Sequence, residues 1–89
     1  MTALTYADGT IREYFSGELM IVYWESAATA DANDTVVVPT ITGKSLRILS
    51  AWDHSSGDAV TATVSSYTIT IDAGGADTDN AYGILFAYV

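Results

Sequence analysis

The sequence predicts an all-β fold: a small antiparallel β-sandwich or jelly-roll-like barrel of about six short strands, forming a single β domain over residues 1–89. Three observations predict it. The apolar residues lean toward Val, Ile, Tyr and Trp, which suit a pleated, half-buried surface. No stretch of ten or more residues keeps apolar side chains at i, i+3, i+4 and i+7 free of Gly and β-branched clusters. Short alternating runs recur instead, separated by turn residues, and two packed sheets or a closed barrel accommodate such a pattern.

The first expected strand is Thr10 to Phe15, where Ile11 and Glu13 alternate with Arg12 and Tyr14 before a turn at Ser16-Gly17. Leu19 to Ser26 follows, and both of its alternating sets are largely apolar, so both faces are expected to be covered. Ala27 to Asp34 reads as a small, acidic loop. Thr35 to Pro39 is a β-branched run stopped by a proline, which lacks the N–H a ladder needs. In Ser45 to Trp52, alternation places Leu46, Ile48, Ser50 and Trp52 on one face and Arg47, Leu49 and Ala51 on the other, with a polar loop at Asp53 to Asp58. Ala59 to Val64 and Tyr67 to Asp72 form a hairpin about Ser65-Ser66, with Tyr67, Ile69 and Ile71 on one face and Thr68 and Thr70 on the other. After a Gly- and Asp-rich loop, the segment from Tyr82 to Val89 is bulky on one face and small-apolar on the other. It is expected at the centre of a sheet or buried between subunits.

Eleven acidic residues against Arg12, Lys44 and Arg47 give a formal net charge of -8, which repels phosphate backbones and anionic head groups, so neither nucleic acid nor a membrane is an expected partner. The longest apolar run, Leu19 to Trp24, is too short to span a bilayer as a helix, and Met1 to Asp8 shows neither the basic nor the apolar region of a cleaved secretory signal. With no cysteine there is no disulfide or thiolate metal site, so stability must come from packing or association. Low Lys and high Asp also suit a protein working at high salt, and a solubility device explains them equally.

Asp53-His54-Ser55 contains the parts of a nucleophilic triad, but adjacent residues point in different directions while a triad must converge, so no catalytic residue is expected. A carboxylate pair for glycoside hydrolysis among Glu13, Glu18 and Glu25 would need a cleft that 89 residues barely provide. Asp77, Asp79 and Asn80 make a partial calcium shell without EF-hand spacing or its closing Glu, so no metal or other cofactor is expected. Asn33-Asp34-Thr35 matches a glycosylation sequon by coincidence. Both Trp24 and Trp52 are expected in the core, each sitting in an apolar strand. Tyr14, Tyr82, Phe86 and Tyr88 are the candidates for an oligomer interface.

The strand Ser45 to Trp52, the loop ending Ser56-Gly57-Asp58, the Thr-rich hairpin Thr61 to Asp72, the loop Ala73-Gly74-Gly75-Ala76 and the C-terminal Tyr/Phe/Val strand together resemble small β-rich virion proteins of tailed phages. The resemblance is one of style, covers the C-terminal half and transfers no functional residue. It implies a non-enzymatic, virion-located structural protein, a capsid decoration or neck, tail or fibre accessory subunit. Its partners would be itself, as a homo-oligomer with a trimer as one option, and other virion proteins. The surplus of apolar strand faces accords with self-association. The competing expectation is a small carbohydrate- or protein-binding β module that uses exposed Tyr or Trp.

Overall fold

The computed structural model describes residues 2–75 and 80–89, so the calcium candidates Asp77 and Asp79 lie outside the described residues. The chain is all-β. Its strands are β1 (Ala3–Leu4), β2 (Thr10–Ser16), β3 (Leu19–Glu25), β4 (Thr35–Val37), β5 (Leu46–Asp53), β6 (Thr63–Ser65), β7 (Thr68–Thr70) and β8 (Tyr82–Tyr88). They form two four-stranded sheets, ordered β2-β3-β8-β5 and β1-β4-β7-β6.

The described residues hold eight strands where about six were expected: each of the seven runs read from the sequence contains one, the Ala59 to Val64 run only from Thr63 onward, and Ala3–Leu4 adds a short strand ahead of them. The arrangement is also not wholly antiparallel, since β1 pairs with β4 in parallel. A buried carboxylate explains that addition. Asp34 accepts the Thr2 N–H at 2.7 Å on Oδ1 and the Asp31 N–H at 2.8 Å on Oδ2, while the Thr35 N–H reaches the Thr2 carbonyl. The N-terminal segment is therefore fastened alongside β4 by contacts that no local sequence pattern encodes.

The larger sheet is built from longer strands and supplies most of the core. Its inner face runs in three cross-strand rows: Ile11-Trp24-Ile84-Ala51, Glu13-Val22-Phe86-Ile48 and Phe15-Met20-Tyr88-Leu46. Val36 of β4, Ile69 of β7, and Val38 and Ile71 just beyond those strands complete the same buried cluster. β8 lies between β3 and β5, as its two apolar faces require. In the smaller sheet the β6–β7 hairpin closes with Ser65 opposite Thr68, and Ile69 and Ile71 point into the core as the alternation predicts.

Tyr82, Phe86 and Tyr88, expected at an interface between chains, are instead core residues with 1%, 0% and 2% exposure. The bulky face of β8 is the one the alternation predicts, but the chain's own second sheet covers it. Their polar tips are satisfied internally: the Tyr88 hydroxyl donates to the Pro39 carbonyl at 2.6 Å, and that of Tyr82 to Asp72 Oδ2.

Trp52 also departs from expectation. Between Ile48 and Ser50 the β5–β8 register slips by one residue, leaving Leu49 as a bulge. A bulge inverts the alternation beyond it, so Ala51 turns into the core and Trp52 onto the outer face with Arg47 and Ser50. Trp24 keeps its expected place at 1% exposure, its indole N–H donating to the Tyr6 carbonyl at 2.9 Å.

Candidate functional site

Two features of the larger sheet stand out: its bare edge and its outer face. β2 is the edge strand, and every residue from Thr10 to Ser16 is exposed. Its hairpin with β3 closes at Ser16 opposite Leu19 through Gly17-Glu18, and Gly17 takes the positive φ (61°) that such a two-residue turn demands. The closing pair of a two-residue hairpin is hydrogen-bonded, so the alternation directs the main-chain groups of Thr10, Arg12, Tyr14 and Ser16 to β3. Those of Ile11, Glu13 and Phe15 face outward.

The opposite edge is protected. Val60 N–H donates to the Ala51 carbonyl at 3.0 Å and Asp53 N–H to the Asp58 carbonyl at 2.8 Å, so the loop after β5 folds back along it. Both edges of the smaller sheet are short strands, which is itself a defence against pairing. β2 has only Arg12 and Glu13 as charged guards, while Ile11, Tyr14 and Phe15 are 36%, 56% and 71% exposed. Of the four residues expected at an interface, Tyr14 alone lies on the surface.

The outer face carries three rows: Thr10-Glu25-Gly83-Trp52, Arg12-Tyr23-Leu85-Ser50 and Tyr14-Ile21-Ala87-Arg47. Among the described residues no second layer covers it. The Trp52 indole lies over Gly83, where a Cβ would overlap Cε2, Cζ2 and Nε1, so the missing side chain makes room for a flat ring against the sheet. Tyr23 meets this indole with centroids 5.7 Å apart and planes tilted by 35°. Beside the aromatic pair is an open depression of about 460 Å³ lined by Thr10, Arg12, Tyr14, Tyr23, Glu25, His54 and Leu85.

At its rim His54 Nε2 sits 2.9 Å from Glu25 Oε1, a contact that is an ion pair only when the imidazole is protonated. Arg12 and Glu25 both act on the Tyr23 hydroxyl. Its pKa is raised by burial first and by Glu25 next, with Arg12 opposing. His54 therefore faces a carboxylate, not a serine hydroxyl, while Asp53 Oδ1 accepts the backbone N–H groups of Ser55 and Ser56 at 2.8 and 3.3 Å. Asp53-His54-Ser55 is a self-capped loop with one side chain reaching across to β3. Among the described residues no group of three or more His, Asp or Glu side chains could hold a metal ion, and no helix is long and apolar enough to cross a membrane.

No local pattern in the sequence groups Arg12, Tyr23, Glu25, Trp52 and His54, which come from three separate segments. Glycine at position 83, inside an otherwise bulky strand, was the signal available, since it marks a close approach by another group. No protein-family model, curated protein or solved structure matches this chain.

Proposed function

We propose that the chain is a non-enzymatic structural subunit of a virion, of the capsid decoration or neck and tail accessory type, that associates with copies of itself through β2. The observation that carries the assembly half of this reading is the seven-residue edge strand, uncovered on both faces and bearing three large apolar side chains. The virion half rests on the stylistic resemblance of the C-terminal half of the sequence.

A second copy is the occupant that β2 suits. An antiparallel two-fold pairing over the full strand keeps both sheets' outer faces on the same side, and it centres the axis on Glu13. Ile11 then opposes Phe15 of the second copy, and Arg12 opposes Tyr14, giving one apolar and one cation–aromatic pair on each side of the axis. The two Glu13 side chains meet on the axis, a repulsion that restrains pairing in free solution. Two seven-residue edges bury little beside the roughly 1,200–2,000 Å² of a stable interface. The isolated pair is accordingly micromolar or weaker, and firm attachment draws on further contacts within a shell.

Sedimentation equilibrium over a concentration series tests this. The chain is expected to self-associate, Glu13→Gln to strengthen the association and Phe15→Asp to abolish it. A chain that stays monomeric at millimolar concentration, with or without Glu13→Gln, would overturn the reading.

A further inference from the structure

We infer that the outer face of the larger sheet is a binding site for a neutral carbohydrate, a hexopyranose seated on Tyr23 and Trp52. The platform is preformed: Trp52 lies against Gly83, and Tyr23 meets it at 35° to make a shallow aromatic cradle. Such rings offer a large apolar face at low entropic cost, which suits the apolar face of a sugar ring.

The chemistry around the cradle sets the ligand class. Arg12 can only donate hydrogen bonds, Glu25 can only accept them, and the hydroxyls of Thr10, Tyr14 and Tyr23 do both. A ligand satisfying this set must carry several groups that both donate and accept, which is the property of vicinal hydroxyls. An anion would meet the Glu25 carboxylate on a chain of net charge -8, and a cation would meet Arg12, which has no ion-pair partner among the described residues. Neutrality is the remaining choice. His54 holds one Glu25 oxygen at 2.9 Å and leaves the other free to accept. The adjoining depression, lined by Tyr23 but not by Trp52, offers about 460 Å³, within the range of small-ligand sites.

This site shares Arg12 and Tyr14 with the proposed β2 interface but not Glu13 and Phe15, which lie on the opposite face of the strand, so sugar binding is read on the monomer and Phe15→Asp should leave it intact. The test is a titration of the ¹⁵N-labelled chain, kept dilute, with methyl glycosides of glucose, galactose, mannose and N-acetylglucosamine, followed by amide and indole N–H resonances. At least one glycoside is expected to move the Trp52 indole resonance with a millimolar Kd that is insensitive to salt. The Trp24 indole, buried and bonded to Tyr6, should stay fixed and serve as a folding control. Arg12→Ala and Trp52→Ala should each weaken binding at least tenfold while keeping the Trp24 resonance in place. Gly83→Val, which pushes the indole off the sheet, should do the same. Silence of the Trp52 resonance toward all four glycosides, undiminished binding by Arg12→Ala, or an affinity that falls steeply with salt would overturn the assignment.

Discussion

Replacing Phe86 and Phe15 separately by alanine distinguishes the interior of the fold from its proposed interface. Phe86 is 0% exposed, lies between Val22 and Ile48 in the central inner row, and meets Tyr88 edge-on with centroids 5.8 Å apart. Truncation loses the transfer energy of a buried ring and leaves a cavity in a thin two-sheet core, about 3–5 kcal/mol in all. A domain of 89 residues has about 4–13 kcal/mol of total stability, so the loss is a large fraction of the whole. With a urea m-value of about 1–1.5 kcal/mol/M, the midpoint should fall by about 2–5 M, or the variant should be unfolded at the outset. Phe15 is 71% exposed, and its truncation should change monomer stability by no more than about 0.5 kcal/mol. Urea unfolding of dilute protein, followed by fluorescence of its two tryptophans, reads both. A Phe86→Ala loss under about 1 kcal/mol, or equal losses for the two variants, would refute the placement of β8 in a core covered by the chain's own second sheet.

The N-terminal clamp and the buried tyrosines give two further expectations. Asp34→Ala orphans the N–H groups of Thr2 and Asp31, at about 1–3 kcal/mol for each one left unsatisfied, and should free β1; loss of hydrogen-exchange protection at Thr35, whose N–H bonds to Thr2, checks it. The Tyr88 hydroxyl is pushed up to about 12 by burial first, then by Tyr6, Tyr67 and Glu13, and burial with Glu13 raises Tyr6 as well. Because the unfolded chain releases these protons first, near pH 10, the stability they contribute is intact below that pH and is lost as pH rises toward 12. Unfolding midpoints measured between pH 9 and 12 should fall across this window, and less so in Tyr88→Phe if that variant folds.

Local pattern carried much of the fold. The β6–β7 hairpin is legible in period-two alternation, although its turn falls at Ser66-Tyr67, one residue beyond the expected Ser65-Ser66, and the central position of β8 follows from its two apolar faces. What escaped depends on contacts between distant segments. The Leu49 bulge is one extra residue whose presence shows only in the pairing with β8, and it alone moves Trp52 from the expected core to the outer face. Periodicity likewise grouped Tyr82, Phe86 and Tyr88 on one face without saying which layer would cover them. The pairing of His54 with Glu25 joins residues 29 apart in sequence, and β1 exists because a buried Asp34 holds it. Charge was more legible: the strands are nearly bare of acids, and the exposed edge keeps Arg12 and Glu13 where an unguarded strand would pair indiscriminately.

Association along β2 is tested most directly by single cysteines, because the natural chain has none. A two-fold axis through position 13 brings the two copies' Cα atoms to about 5.5 Å, within the span of a disulfide. Under mild oxidation Glu13→Cys should therefore form a disulfide-linked dimer faster than Val37→Cys, which is 63% exposed on the smaller sheet. Equal or slower cross-linking of Glu13→Cys would contradict the edge-paired dimer.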